Sequence, residues 1–276
     1  MTKPDNALKV AVAGVAGRMG RQLAAMALSR GLALSGASEV AAAGVFDEDI
    51  GVLAGHGPVG VWPAPTVSEA AAGADVWIDF TRPEATVQAL DALKGTSVRA
   101  VVIGTTGLSD ADEAAIQAAA SRFAIVKSGN YSLGVNLLQA LTRLAASRLG
   151  AGWDIEILEA HHRLKVDAPS GTAMMLAEAA ADGRGAALKD ILAPPYLGPD
   201  APRKDGEIGM AVRRAGGIYG EHEVLFGSAR EVLRFSHMAL DRAVFADGAI
   251  HAAIWAAAQP PGLYGMDDVL GLGHTG

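Results

Sequence analysis

The chain has 276 residues, no cysteine and a formal net charge of −7, a length that allows one large α/β domain or two smaller ones. The acidic balance disfavours nucleic acid as a partner, and the lack of cysteine excludes disulfides, thiol catalysis and cysteine-ligated zinc. Residues 1–8 carry no apolar signal core and no uncharged apolar stretch of about 18 residues follows, so we expect a cytoplasmic protein with no membrane partner.

The first half of the chain alternates short apolar strands with helices. Strands are predicted at residues 8–13, 32–37, 76–80, 100–103 and 123–127. Helices are predicted from residue 21 to 28 or 29, from Pro83 to about Lys94, and from the N-cap Ser109 to Ser121, whereas residues 40–61 are expected to be irregular. Three strands end in polar, glycine-bearing loops. Because ligands of open parallel sheets bind beyond the carboxyl ends of the strands, we expect these loops to line one crevice.

The alternation breaks near residue 150. Predicted elements there are a helix at 135–149, strands at 155–160, 208–214, 219–226 and 231–237, and a helix at 172–181. An Ala-rich helix at 243–258 is expected to pack back on the first domain. The predicted fold class is therefore α/β: an N-terminal Rossmann-like, doubly wound parallel sheet, and a C-terminal α+β domain with a mixed or antiparallel sheet.

A glycine-rich turn, Gly14-Val15-Ala16-Gly17-Arg18-Met19-Gly20, follows the first strand and opens the first helix. Glycines let the backbone approach a pyrophosphate, and the helix N-terminus attracts that anion. Glu39 lies at the end of the second strand, where a carboxylate accepts hydrogen bonds from ribose hydroxyls. The pattern predicts a bound dinucleotide; the alternative is a tight turn with no ligand.

The residue after Glu39 bears on the choice between NADH and NADPH. Proteins that bind NADP usually place an arginine or lysine there to meet the 2′-phosphate. Here Glu39 is followed by Val40 and three alanines. Arg18 or Arg82 could reach the site, or both could be solvated surface groups. We expect NADH to be used at least as well as NADPH.

The densest group of proton donors lies in residues 159–173, EAHHRLKVDAPSGTA. The side chains that supply proton donors and positive charge are His161, His162 and Lys165. Ser170 is a plausible N-cap, so the N–H groups of Gly171 and Thr172 would face a carboxylate. We predict a catalytic site for a substrate with more than one carboxylate; structural histidines are the alternative. No metal is predicted, because the histidines are adjacent and no carboxylate stands at zinc-site spacing.

Several segments resemble the family of 4-hydroxy-tetrahydrodipicolinate reductases, also called dihydrodipicolinate reductases, of the diaminopimelate and lysine pathway. They lie at residues 12–23, 78–87, 101–107, 128–138, 159–173 and 214–224. They cover nearly the whole chain in order, and EAHHRLKVDAPSGTA is the most specific of them.

The resemblance implies a tetramer of two-domain subunits. Residues 1–132, with 243–276 packing back on them, would bind NADH or NADPH, and residues 133–242 would bind substrate and form the oligomer. The implied contacts to the pyrophosphate and adenosine ribose are Gly14, Val15, Ala16, Gly17, Arg18, Met19 and Glu39. Those near the nicotinamide are Gly104, Thr105, Thr106, Ser128, Gly129, Asn130 and Tyr131.

The resemblance also implies the chemistry. His161 corresponds to a proton donor or acceptor and Lys165 to a general acid; the implied substrate contacts are His162, Lys165, Gly171 and Thr172. The substrate would be a cyclic imine with two carboxylates, and hydride addition would send negative charge toward its ring nitrogen. Two positions depart from the family: many members have arginine in place of Val40, and phenylalanine is more usual than Tyr131.

Two other functions are compatible with parts of the sequence. Another two-domain Rossmann oxidoreductase, such as an amino-acid or aldehyde dehydrogenase, would share the glycine turn but not the histidine–lysine segment. A regulator that senses NADH without turnover would need a DNA-binding element, and neither a basic patch nor a helix-turn-helix pattern is evident.

Overall fold

The computed structural model describes residues 7–272, within which the chain forms two compact units. Unit 1 contains the described residues up to Ser132 and those from Ala243 onward, and unit 2 is Leu133–Arg242. The outermost residues of the domain expected at 1–132 and 243–276 lie outside the described residues. Among residues 7–272, no helix has both the length and the apolar composition needed to cross a membrane.

Both units combine strands with helices. The strands, in chain order, are β1 Lys9–Ala13, β2 Ala33–Ser38, β3 Val76–Asp79, β4 Ala100–Ile103, β5 Ala124–Lys127, β6 Asp154–His161, β7 Ile208–Arg214, β8 Glu221–Gly227, β9 Val232–Met238 and β10 Gly262–Tyr264. The helices are α1 Arg18–Ser29, α2 Ile50–Leu53, α3 Val67–Ala70, α4 Pro83–Ala92, α5 Asp110–Ala119, α6 Leu133–Arg148, α7 Gly171–Gly183, α8 Leu188–Ile191, α9 Ala243–Ala256 and α10 Met266–Val269.

Unit 1 is built on a six-stranded parallel sheet in the order β10-β5-β4-β3-β1-β2. Its inner strands β3 and β4 are buried at every residue, as expected when helices cover both faces of a parallel sheet. On one face, α3, α4 and α5 pack against Trp77 and Ile103. Helices α1 and α9 contact each other, and α9 contacts β4 and β5. The Rossmann-like prediction is confirmed, and the Ala-rich helix α9 lies against this sheet.

Helix α1 begins at Arg18, earlier than the predicted residue 21. Gly17 is its N-cap, and Gly20, which we assigned to the turn, lies inside the helix. A Cβ atom at Gly20 would stand 2.1 Å from the carbonyl oxygen of Gly14. The third glycine of the motif is therefore required by close packing of helix against loop, and a turn was the wrong interpretation of it.

Residues 40–61 were expected to be irregular but contain helix α2 and a 3-10 turn at Ala41–Ala43. Asp49 organises this segment, because its carboxylate accepts hydrogen bonds from the N–H groups of Gly51, Val59 and Gly60 at 2.8, 3.0 and 2.6 Å. Burial alone would raise the pKa of Asp49, but these donors outweigh it and hold the pKa below its ordinary value.

Unit 2 contains a four-stranded mixed sheet in the order β7-β6-β8-β9. Strands β6 and β7 are parallel, and β6–β8 and β8–β9 are antiparallel, so the predicted mixed sheet is confirmed. Leu138 of α6 and Leu176 of α7 are buried in one cluster with Ile157 and Phe226. The two helices thus cover one face of the sheet. The other face includes Val232 and Met238, which are 56% and 59% exposed.

Candidate active site

The glycine turn of unit 1 has the backbone shape that its sequence predicts. Gly14 has a φ of +63°, which favours glycine, and its missing Cβ would stand 3.0 Å from Cγ2 of Thr81. The N–H of Gly17 donates to the carbonyl of Gly14 at 3.0 Å. No side chain caps the N-terminus of α1, so the turn presents a bare helix start of the kind that binds phosphate groups.

Glu39 follows β2 and is held against this turn. Its Oε2 accepts a hydrogen bond from the N–H of Ala16 at 2.8 Å, and its Oε1 accepts one from the N–H of Val40 at 2.8 Å. Val40 is 67% exposed. Glu39 and the glycine turn, predicted to lie together, are therefore in direct contact, with an apolar residue beside the carboxylate.

A cleft of about 840 Å³ opens in unit 1 next to these residues. Gly14, Gly17, Glu39 and Val40 line one part of it, and Arg82 lies in its wall. Ligand clefts in proteins are typically about 300–1,000 Å³. A glycine turn whose helix start has no side-chain cap, an acidic residue at the end of β2 and a cleft of this size fit a dinucleotide.

The loop after β3 is organised by Asp79, a residue that sequence reasoning did not select. Asp79 is 1% exposed and accepts hydrogen bonds from the N–H and Oγ1 of Thr81 at 2.9 and 2.5 Å. Burial raises its pKa despite these donors. Asp79 thus fixes Thr81, whose methyl group faces Gly14, and so shapes the wall of the glycine turn.

The loops after β4 and β5 hold the residues expected near the nicotinamide. Gly104 packs against the ring of Phe80, and a Cβ atom at position 104 would stand 2.1 Å from that ring. Thr105 is buried, and its hydroxyl is hydrogen-bonded to the hydroxyl of Thr86 at 2.8 Å. Thr106 and Gly129 are exposed. The loop after β5 is held by hydrogen bonds within the loop: Ser128 Oγ donates to the Asn130 carbonyl, and Asn130 Oδ1 accepts from the Ser132 N–H.

Tyr131 differs from these neighbours because its hydroxyl faces the protein. It is 1% exposed, and its Oη lies 2.8 Å from the carbonyl oxygens of both Ile103 and Val126. The hydroxyl that distinguishes it from the more usual phenylalanine therefore joins the ends of β4 and β5.

In unit 2, His161 lies at the end of β6 and is 8% exposed. Its Nδ1 is 2.6 Å from Oε2 of Glu159, which is 2% exposed. Arg214 donates to both carboxylate oxygens of Glu159 at 2.7 and 2.8 Å, and the N–H of Ser170 donates to Oε1 at 3.0 Å. Burial alone would raise the pKa of Glu159, but these donors lower it below its ordinary value.

Ser170 connects this group to helix α7 and to a second histidine. Its Oγ accepts a hydrogen bond from the N–H of Ala173 at 3.1 Å, so the predicted N-cap is confirmed. The same Oγ is 3.1 Å from Nε2 of His222. The His161 and His222 rings meet edge to face with centroids 5.2 Å apart. Burial first, and then the nearby His161, lower the pKa of His222 to about 4.

The remaining predicted residues of unit 2 lie in the loop between His161 and α7. The N–H of His162 donates to the carbonyl of Ile218 at 2.7 Å. Lys165 is ion-paired with Asp167, with Nζ 2.8 Å from Oδ2, and this contact lowers the pKa of Asp167. Lys165 thus pairs with Asp167 and not with His161. Gly171 and Thr172 form the first turn of α7 after the Ser170 cap.

Glu159, Arg214 and His222 were missed as site residues by sequence reasoning. Glu159 stands two residues before His161, a spacing that puts both side chains on one face of a strand. Its place in the site could therefore have been predicted from the sequence. The other two depend on pairing between distant segments: the register places Arg214 beside His161 and His222 opposite Glu159. Among the described residues, no three metal-ligating side chains are grouped so as to hold an ion.

Comparison with known proteins gives consistent matches along the chain. Two family models, described as dihydrodipicolinate reductase N-terminus and C-terminus, match residues 8–131 and 134–270. The 4-hydroxy-tetrahydrodipicolinate reductase of Caulobacter vibrioides is 49% identical over 265 residues, covering 96% of this chain and 97% of that protein. That of Allorhizobium ampelinum is 49% identical over 267 residues, covering 96% and 98%.

Solved structures give the same fold. The dipicolinate-bound dihydrodipicolinate reductase of Paenisporosarcina sp. TG-14 matches with a TM-score of 0.75 at 24% identity, covering 95% of this chain and 99% of that one. An amine dehydrogenase of Mycobacterium smegmatis matches with a TM-score of 0.66 at 18% identity, covering 95% and 96%. With both halves matched by its models and with relatives of such identity, the chain belongs to the dihydrodipicolinate reductase family.

Proposed function

We propose that this protein catalyses the NAD(P)H-dependent reduction of 4-hydroxy-tetrahydrodipicolinate to tetrahydrodipicolinate, in diaminopimelate and lysine biosynthesis. The observation that carries the proposal is the buried His161, joined through Glu159 to Ser170 at the head of helix α7. This arrangement places a histidine that can transfer protons beside the N-terminus of helix α7, which favours anions. Family membership supplies the substrate, a cyclic imine with two carboxylates.

In this proposal unit 1 binds the dinucleotide, which supplies the hydride when bound. The N–H groups of the turn and of the first turn of α1 hold the pyrophosphate, and Glu39 accepts the ribose hydroxyls. The proposed cofactor residues are Gly14, Val15, Ala16, Gly17, Arg18, Met19, Glu39, Gly104, Thr105, Thr106, Ser128, Gly129, Asn130 and Tyr131. Tyr131 is 1% exposed with its hydroxyl against the carbonyls of Ile103 and Val126, so its proposed part is to hold the loop after β5 in place beside the ligand.

We further propose that NADH is used at least as well as NADPH. The Glu39 carboxylate lies beside exposed Val40, so it can accept a 2′-hydroxyl but would repel a 2′-phosphate. Val40→Arg should raise kcat/KM for NADPH about tenfold, whereas Val52→Arg, at another exposed valine of unit 1, should not. A strong NADPH preference of the unmodified protein would contradict this part of the proposal.

On the substrate side, His162, Lys165 and the N–H groups of Gly171 and Thr172 bind the two carboxylates. Lys165 and His161 stabilise the charge that develops toward the ring nitrogen and deliver a proton to the product. Lys165 is 21% exposed and ion-paired with Asp167. Substrate binding in this proposal exchanges that pair for a carboxylate or the ring nitrogen of the ligand.

The test is a coupled assay. Pyruvate and aspartate semialdehyde are condensed by the preceding synthase of the pathway, and oxidation of NADH or NADPH is followed by absorbance. His161→Ala and Lys165→Ala should each lower kcat about 100-fold or more, and Lys189→Ala, at an exposed lysine of α8, should not. No oxidation with either cofactor would overturn the proposed function, and full turnover by both variants would overturn the roles assigned to His161 and Lys165.

We also propose a homotetramer assembled through unit 2, in the cytoplasm. Helices α6 and α7 cover one face of its sheet, and Val232 and Met238 are more than half exposed. Exposed apolar side chains on a sheet face favour association with a second copy. Light scattering of the purified protein should give four times the chain mass, and a monomer at micromolar concentration would contradict the proposal.

A further inference from the structure

The proposed chemistry does not use the most enclosed carboxylate of unit 2. We propose that Glu159 is a positioning residue for His161: it holds the proton on Nδ1, so that Nε2 is the atom that exchanges protons with the substrate. This inference rests on the proposed function. It gives Glu159 a positioning role and makes Nε2 the reactive nitrogen of His161.

The hydrogen bonds of Glu159 establish its charge state. Oε2 accepts from Arg214 and lies 2.6 Å from Nδ1 of His161, and Oε1 accepts from Arg214 and from the N–H of Ser170. Burial alone would raise the pKa of Glu159, but the guanidinium of Arg214 and the Ser170 N–H favour the ionised form and hold the pKa below its ordinary value, so the group is a carboxylate, which only accepts. Nδ1 of His161, 2.6 Å from that carboxylate, must therefore carry a hydrogen. In the neutral ring Nε2 is then the unprotonated nitrogen.

Gly220 sets the space beside Nε2 of His161. A Cβ atom at Gly220 would stand 3.1 Å from Nε2 and 3.5 Å from Cδ2 of His161. Gly220 is buried, and its φ lies outside the left-handed region. A Cβ atom here would therefore crowd Nε2 by a few tenths of an ångström, whereas the backbone conformation does not call for glycine. A methyl group at position 220 would press on the nitrogen that we assign to proton transfer.

Arg214 and Ser170 explain why the carboxylate can be buried at this point. Arg214 of β7 makes a two-pronged contact with Glu159 of β6, and Ser170 is the first residue before α7. The carboxylate is thus fixed from three elements, which restricts rotation of the imidazole as well as its protonation. A purely structural role for Glu159 would predict stability loss only, whereas a positioning role predicts a change in the protonated nitrogen of His161.

The first experiment compares Glu159→Gln with Glu156→Gln. Glu156 lies on the same strand and also pairs with an arginine, Arg203, but does not touch His161. An amide at position 159 has one oxygen and one NH₂ group in place of two acceptor oxygens. An NH₂ group turned away from His161 would meet the Arg214 and Ser170 donors, whereas one turned toward Nδ1 would donate to it and favour the tautomer protonated on Nε2. We expect kcat to fall at least about 100-fold at nearly constant KM. In ¹⁵N-histidine NMR spectra, His161 should change from Nδ1–H to Nε2–H, and Glu156→Gln should alter neither.

The second experiment keeps the carboxylate network and tests Nε2 directly. Gly220→Ala should lower kcat at least about tenfold, with His161 still protonated on Nδ1. Gly217→Ala is the matched control, because a Cβ atom there meets nothing within 4 Å. Gly220→Ala also tests the role of Nε2 if Glu159→Gln does not fold.

The outcomes separate this inference from the proposed function. If His161→Ala loses activity while Glu159→Gln keeps the kcat of the unmodified protein and His161 stays protonated on Nδ1, the positioning role is wrong and the proposed function stands. Full activity of Gly220→Ala would equally refute Nε2 as the working atom. An unmodified protein that oxidises no cofactor refutes the function itself.

Discussion

His222 should make unit 2 sensitive to acid, in a way that a single substitution can isolate. The ring is 5% exposed, its Nε2 contacts Ser170, and its pKa is lowered from 6.5 to about 4, first by burial and then by the nearby His161. The unfolded chain binds a proton at His222 below pH 6.5, whereas the folded chain resists it until about pH 4. Folding is therefore fully favoured by this group above pH 6.5, and the stabilisation is lost as the pH falls toward 4.

The size of the effect follows from the two pKa values. Each tenfold difference in proton affinity corresponds to about 1.4 kcal/mol. The loss should therefore be about 2 kcal/mol at about pH 5 and about 3 kcal/mol near pH 4. An exposed histidine with the same pKa in both states contributes nothing to this change.

Urea unfolding followed by circular dichroism, at about pH 7.5 and pH 5 and one protein concentration, measures the change. The native protein should lose about 2 kcal/mol more between these pH values than His222→Gln does. His56→Gln, at an exposed histidine, should behave like the native protein. If the native protein and His222→Gln lose equal stability, His222 is not held neutral by burial and the reasoning fails.

Three further predictions concern unit 1. Gly20→Ala should weaken NADH binding at least about tenfold in a fluorescence titration, because its methyl group would displace the Gly14 carbonyl; unchanged affinity would contradict the role of this contact. Gly248→Ala places a Cβ atom 1.6 Å from the Tyr131 carbonyl, so it should lower the free energy of unfolding by about 3 kcal/mol, while Gly95→Ala, which meets nothing, should not. Tyr131→Phe should cost about 1 kcal/mol and lower Tm by about 2–4 °C without changing KM for NADH, and a large rise in KM would place the hydroxyl at the cofactor.

Much of the fold was predictable from local pattern. Strand β4 matches its predicted bounds because four buried apolar residues lie between polar turns, and Ser109 caps α5 as expected. Strand β10 was missed because three residues show no periodicity; it forms by pairing with β5 across a long sequence interval. The same limit applies to the site. His161 stood out by residue type, whereas the contact of Arg214 with Glu159 depends on strand register, which a single sequence does not reveal.

The contact between Glu39 and the Ala16 N–H has a practical consequence for altering cofactor choice. Glu39, the residue proposed to contact the ribose, also supports the glycine turn by accepting a hydrogen bond from it. Neutralising Glu39 to admit a phosphorylated ribose would leave an amide in that loop unpaired and loosen the grip on either cofactor. Redesign should therefore begin at Val40 and leave its acidic neighbour in place.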